Sequence, residues 1–153
     1  MDFRLNNISK ISLFLFAFAI AVTLVSWSVI PHTLEKRWLF FPDRKNGTVM
    51  QESRFLPLVD DQQKALGFLL NALVQGPSDI TLGRVVPKNS QIKAAFIHGS
   101  EAVIEFDPGV QAPDALVALS GKDRMRWVNK IVRYNFPFIS KVIILIGGRE
   151  STF

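Results

Sequence analysis

Two short stretches carry groups that could do chemistry. His98-Gly99-Ser100 sets an imidazole beside a hydroxyl, the combination a serine hydrolase uses as base and nucleophile. Such an enzyme also needs its serine on a sharp exposed turn, an orienting acid and an oxyanion hole. The chain has no G-x-S-x-G motif, and a glycine between two strands is explained by its backbone freedom alone. Glu105 and Asp107 are two residues apart. Paired carboxylates can carry out acid–base work across a glycosidic bond, which makes these two the least poor candidates for a hydrolase acting on wall polymer. Alternation along Val103, Ile104, Glu105 and Phe106 instead puts Glu105 beside Val103, at the exposed end of a strand.

Other chemistries lack their residue sets. A metal site needs clustered His, Cys or carboxylates. The chain has no Cys and two His, His32 and His98, far apart in sequence. Gly121-Lys122 lacks the spacing of a phosphate loop, and no helix is expected after Gly147-Gly148. The expectation is a chain with no catalytic residues, no metal and no cofactor, and so not an enzyme.

The feature that suggests binding is a basic helix face. Lys122, Arg126, Lys130 and Arg133 are spaced by four, four and three, which aligns them along one side of a helix. Met125, Val128, Ile131, Val132 and Asn135 fall largely elsewhere. From Lys122 to Arg149 there are seven basic residues against one acid, Asp123. Such a face is either solvated surface or a contact for an acidic partner, lipid headgroups or wall polymer.

The elements that must position these residues follow from composition and periodicity. The chain has 153 residues, is 48% hydrophobic and has a formal charge of +5. Asp2, Arg4 and Lys10 contribute +1 of this, leaving +4 for the rest. That is well short of a typical nucleic-acid binder, so no nucleic-acid partner is expected. Residues 11–30 carry no charge and, as a helix, extend about 30 Å, the thickness of a bilayer core. With Arg4 and Lys10 before it, this run has the pattern of a signal-anchor with its amino terminus in the cytoplasm. A cleaved signal peptide is the rival reading, since Ser26 and Ser28 supply small residues near its end. The expected organisation is a cytoplasmic segment over 1–10, a transmembrane helix over 11–30, a juxtamembrane linker over 31–36 and an extracytoplasmic domain over 37–153.

Within that domain, 37–41 and 49–58 read as strands around the Asn46-Gly47 turn. Pro57 places the second at a sheet edge. Asp60, with Gln63 three residues on, reads as a capping box. It precedes a helix whose Ala65, Leu66, Leu69, Leu70, Ala72 and Leu73 recur at helical spacing and which Gly76-Pro77 ends. Strands follow over 91–97 and 102–106, then a helical turn over 113–119. Ser120 caps a helix reaching about 135, and 141–146 is a near-continuous apolar strand of the kind that lies centrally. The expected fold is α+β: a mixed sheet of about five strands with two helices packed on one face, preceded by one transmembrane helix.

Several stretches in this order resemble the GerMN module, the sporulation and spore germination family. They are Trp38-Leu39-Phe40-Phe41, Glu52-Ser53-Arg54, the leucine-rich helix ending in Gly76-Pro77, 86–92, Gly99 with 102–106, and Val142-Ile143-Ile144 before Gly147. One copy is present; Asn89 stands where the family usually has Gly, and Glu105-Phe106-Asp107 where it has Asp-Leu-Ser. The resemblance implies a non-enzymatic interaction or scaffolding module of the bacterial envelope, tethered by a single span to the cytoplasmic membrane with its domain outside. It would bind another envelope protein or itself, and the alternative partner is a cell-wall polymer. Sporulation itself does not carry over from the resemblance.

Overall fold

The computed structural model describes residues 7–29 and 33–151, except 118, with side chains over 10–26 in the first helix. The chain divides into two compact units, Met1–His32 and Thr33–Phe153. Residues 1–6 of the expected cytoplasmic segment over 1–10, along with Ile30, Pro31 and His32, lie outside the described residues.

The first unit contains α1, Asn7–Val29. Phe14 and Phe18 stack along it with centroids 6.5 Å apart, and the Thr23 hydroxyl donates to Ala19 O at 2.8 Å. Among the described residues, no helix is long and apolar enough to cross a membrane. The expected transmembrane helix is therefore corrected: the fold is not preceded by a supported span.

The second unit is α+β but holds two sheets rather than one of five strands. β1 (Leu34–Pro42) and β2 (Val49–Pro57) form a separate antiparallel hairpin. The second sheet has the order β3-β4-β5-β6, built from Ile92–His98, Glu101–Phe106, Lys141–Ile146 and Arg149–Glu150. β4 and β5 are parallel; the other neighbours are antiparallel. The expectation failed because of one contact between residues distant in sequence. The free edge of β1 is not paired with a strand at Trp38: Asn135 there accepts from Trp38 N at 2.9 Å and donates to Trp38 O at 2.7 Å. A side-chain amide thus takes the place a fifth strand would have held. The fourth strand, β6, follows the Gly147-Gly148 turn, where the sequence predicts no further strand.

Two helices cover the larger sheet. α2 (Gln62–Gln75) packs against β2 and β3, and α3 (Gly121–Asn135) packs against β1 and β5. The core joins Leu66, Leu69, Leu70 and Leu73 of α2 to Met125, Val128, Ile131 and Val132 of α3. Ala102, Ile104, Phe106 and Ile144 close it from the sheet, with Leu39 and Phe41 from β1. Burying each large side chain contributes about 1.5–3 kcal/mol, so the periodic apolar stripe is what fixes each helix on the sheet.

Helix ends explain two smaller differences. The cap of α2 is Asp61, one residue later than expected; its carboxylate accepts from Gln63 N at 2.9 Å and Lys64 N at 3.3 Å. Over 113–119 the described residues form no helix, only a single turn closed by Val117 N donating to Asp114 O at 3.0 Å. A 3-10 turn forms at Pro108–Gln111 instead, capped by Asp107 with Pro108 in the first turn. Ser120 caps α3 as expected, accepting from Asp123 N.

Candidate binding surface

α3 sorts its cations by register. Lys122, Arg126, Lys130 and Arg133 are all exposed, while Met125, Val128, Ile131 and Val132 are buried. Arg126 forms a 3.4 Å ion pair with Asp123 one turn earlier. A surface groove of about 500 Å³ runs beside this face, bounded by Arg126, Asn129, Lys130, Arg133, Tyr134, Pro137 and Ile139. Tyr134 forms one wall. It packs edge-on to Phe40 with centroids 4.9 Å apart, and its hydroxyl is 3.4 Å from Gln51 Nε2. The buried Asn129 Oδ1 has no hydrogen-bond partner among the described residues. A concave wall with three cations suits an anionic group.

Arg124 belongs to the same basic count but does a different job. It is 7% exposed. Its Nε donates to Leu119 O at 3.0 Å, and its Nη1 donates to Val110 O at 2.9 Å and Ala112 O at 3.1 Å. It therefore holds the 110–119 loop rather than facing solvent.

Three more arginines act in the same inward way. Arg84 donates to the last carbonyls of α2: through Nη1 to Gln75 O at 2.9 Å and through Nη2 to Val74 O. Its Nε donates to Val86 O at 3.3 Å. Burial lowers the Arg84 pKa, and the Asp114 carboxylate acts in the opposite direction. Gly76, with φ +84, passes so close that a Cβ there would lie 2.4 Å from Arg84 Nη1. Backbone angle and space both require glycine at this helix end.

The hairpin supplies the other two. Arg37 on β1 and Arg54 on β2 are cross-strand partners. Each pairs at 2.5 Å with the glutamate two residues before it, Glu35 and Glu52, which offsets the like charges facing each other across the strands. Arg54 reaches Gly76 O at 2.8 Å, and Glu52 accepts from Ser78 N at 3.0 Å. Arg37 donates to Asn135 O and lies 4.5 Å from the centre of the Phe136 ring. One hairpin thereby places a cation at the C-terminal end of each helix, where the dipole favours it. Sequence reading found Glu52-Ser53-Arg54 only as a family stretch. The repeated Glu-x-Arg, at Glu35-Lys36-Arg37 and again on the facing strand, was the signal it missed.

The enzyme candidates do not assemble a site. Asp107 is half-buried, and its carboxylate accepts from Gln91 N at 2.7 Å and Gly109 N at 3.0 Å. Glu105 is half-buried on β4, on the same side as Val103. His98 is exposed at the end of β3. Ser100 Oγ pairs with Ser140 Oγ at 3.1 Å, and Gly99 takes φ +58 in the two-residue turn between β3 and β4. Among the described residues, no three His, Cys, Asp or Glu side chains gather as a metal site would require.

Comparison with known proteins gives the same fold. The first GerMN domain of the sporulation protein GerM from Bacillus subtilis matches with 23% identity and a TM-score of 0.52, over 76% of this chain and 86% of that one. The tandem GerMN domains of the same protein match with 20% identity and a TM-score of 0.51, over 77% of this chain and 41% of the tandem pair. A presumed lipoprotein from Clostridium perfringens matches with 21% identity and a TM-score of 0.50, over 79% of this chain and 82% of that one. No sequence match was found among curated proteins. The sporulation and spore germination family, Germane, matches residues 38–152, and the chain belongs to that family.

Proposed function

We propose that this chain is a non-enzymatic interaction module of the bacterial cell envelope, which binds an acidic surface of another envelope protein through the outward face of α3. The observation that supports the reading is the division of labour among cations. Arg37, Arg54, Arg84 and Arg124 are consumed by backbone carbonyls of the fold, whereas Lys122, Arg126, Lys130 and Arg133 stand exposed, the last three lining a groove. The extracytoplasmic side of the cytoplasmic membrane is the proposed place. Family membership and a neighbour that is itself a presumed lipoprotein support it. The proposal includes no membrane-crossing helix.

A second reading is favoured by the groove itself: an anionic wall polymer could lie along cations spaced about 6 Å apart, the rise of four helical residues. Crosslinking capture from native envelopes, with wild type and the Arg126→Glu/Lys130→Glu variant, tests both. A specific protein captured by wild type and lost in the variant supports the protein partner. Retention of purified anionic wall polymer in place of any protein supports the second reading. Equal capture by wild type and variant removes the α3 face from consideration.

A further inference from the structure

The four sheet edges of the domain are treated differently. That of β2 carries the Glu52–Arg54 ion pair and ends at Pro57. β6 is only Arg149–Glu150, a short charged edge, and short charged edges resist pairing. The edge of β1 is occupied at Trp38 by the Asn135 amide. β3, Ile92–His98, is seven residues long and pairs on one side only, with β4. Between Lys93 and His98 it reads Ala-Ala-Phe-Ile, with no charge and no proline. Phe96 is 43% exposed there.

The turn fixes which backbone groups are open. His98 and Glu101 flank the two-residue turn, so they form a hydrogen-bonded pair, and bonded and non-bonded pairs alternate from it. Phe96 with Val103 and Ala94 with Glu105 are therefore bonded pairs as well. The N–H and C=O of Ala95 and Ile97 point to the open side. Among the described residues, no hydrogen bond from another element reaches them.

We propose that this edge pairs antiparallel with the β3 edge of a second copy of the chain, about a two-fold axis at Phe96. In that register Ala95 bonds Ile97 of the second copy and Ile97 bonds its Ala95. All four open groups of each copy are then satisfied among themselves, which no register centred on Ala95 or Ile97 achieves. Phe96 faces Phe96 of the second copy as a non-bonded pair, the position where side chains approach most closely, and gains an aromatic cross-strand partner. The charges are compatible. Lys93 meets Gly99 of the second copy, at the turn that leads into its Glu101, and not another cation. Ala94 meets His98. The pairing uses none of the four α3 cations, so it stands or falls separately from the proposed partner surface.

The absence of cysteine makes a register test direct. Full-length Phe96→Cys, oxidised mildly in excess detergent micelles, is expected to run as a disulfide dimer on a non-reducing gel. Its two Cα atoms would lie about 4.5 Å apart, within the roughly 4.4–6.8 Å a disulfide spans. His98→Cys is expected to stay monomeric, because the two copies of that position would be about 13 Å apart along the strands. It carries the same α1, so association through that helix would raise both variants alike. Ala95→Pro in the Phe96→Cys background removes an N–H that bonds nothing on β4 and blocks the edge; the dimer is expected to disappear while circular dichroism stays unchanged. A monomeric Phe96→Cys chain overturns the proposal. So does equal crosslinking through His98→Cys, or reaction of Phe96→Cys in cells only with a different protein.

Discussion

The inward arginines and the outward cations of this domain are the same chemical types in opposite roles. Arg84 and Arg124 are about nine-tenths buried, and every hydrogen bond described for them ends on a backbone carbonyl. Arg126, only two residues from Arg124, is exposed and meets only a surface carboxylate. The difference lies in helix register. Arg124, Val128, Ile131 and Asn135 recur at i, i+4, i+7 and i+11 and are all buried; that is the apolar stripe of a helix lying on a sheet. Lys122, Arg126, Lys130 and Arg133 form the opposite stripe. Charge at a position thus says little until its face is known. A cation on the inner stripe stabilises loops and helix ends, and only a cation on the outer stripe is free for a partner.

The largest effect expected from this contrast is at Arg84. Arg84→Met keeps much of the aliphatic volume but leaves the carbonyls of Val74, Gln75 and Val86 without their donor. An orphaned buried acceptor costs about 1–3 kcal/mol, and bonds from charged donors are the stronger kind. The loss should total about 3 kcal/mol, a large part of the roughly 5–15 kcal/mol that holds a domain together. Thermal unfolding should show the melting temperature falling by roughly 10 °C. An unchanged melting temperature would mean that water replaces the guanidinium without cost and that the inward class is not structural.

A smaller effect distinguishes structure from chemistry among the acids. Asp107→Ala removes the acceptor for Gln91 N and Gly109 N and should cost about 1–2 kcal/mol, the scale of a lost helix cap. Asp107→Asn keeps one acceptor oxygen but replaces the other with an amide donor, so it should recover only part of that loss in the same unfolding assay. Combined with Glu105→Gln, it removes both carboxylates that an acid–base mechanism would need. The double variant should support the protein's cellular role at the wild-type level. Loss of that role with an intact melting curve would reinstate Glu105 and Asp107 as reacting groups.

How much was legible in the sequence depends on the range of the interaction. The apolar stripes of α2 and α3, the Ser120 cap and the ends at Gly76-Pro77 were readable because each is set by residues within a turn or two. The start of α2 was misread by one residue because Asp60 and Asp61 offer the same carboxylate, and only backbone geometry chooses between them. The separation of the hairpin from the larger sheet could not be read. It depends on Asn135 bonding Trp38, 97 positions away in sequence, and a strand that ends on a side chain has the same alternation as one that ends on another strand. Arg124 could have been placed inside. Its spacing to Val128 and Ile131 was visible, but counting it with the basic run hid that. The outward four were named from spacing alone, and the groove beside them depends on Pro137 and Ile139, which no helical periodicity predicts.

The smallest expected effect on stability is at the outward stripe, where binding should respond most. Arg126→Glu/Lys130→Glu removes a 3.4 Å pair with Asp123 whose side chains are 61% and 46% exposed, worth a few tenths of a kcal/mol at most. The total change should stay within about 0.5 kcal/mol, as for other surface substitutions away from caps and cores. The same substitutions turn two of the three cations lining the groove into anions. Attraction to an acidic partner then becomes repulsion at the centre of the face. Wild-type capture should weaken with added salt, because the Debye length shrinks from about 10 Å at 0.1 M to about 3 Å at 1 M. The variant should capture little at either concentration. Unfolding curves and capture at two salt concentrations, measured on the same preparations, separate the outcomes. A variant that unfolds early would place Arg126 or Lys130 with the inward arginines. One that folds normally and still captures its partner, with no response to salt, would show that the outer stripe is solvated surface and that the partner docks elsewhere.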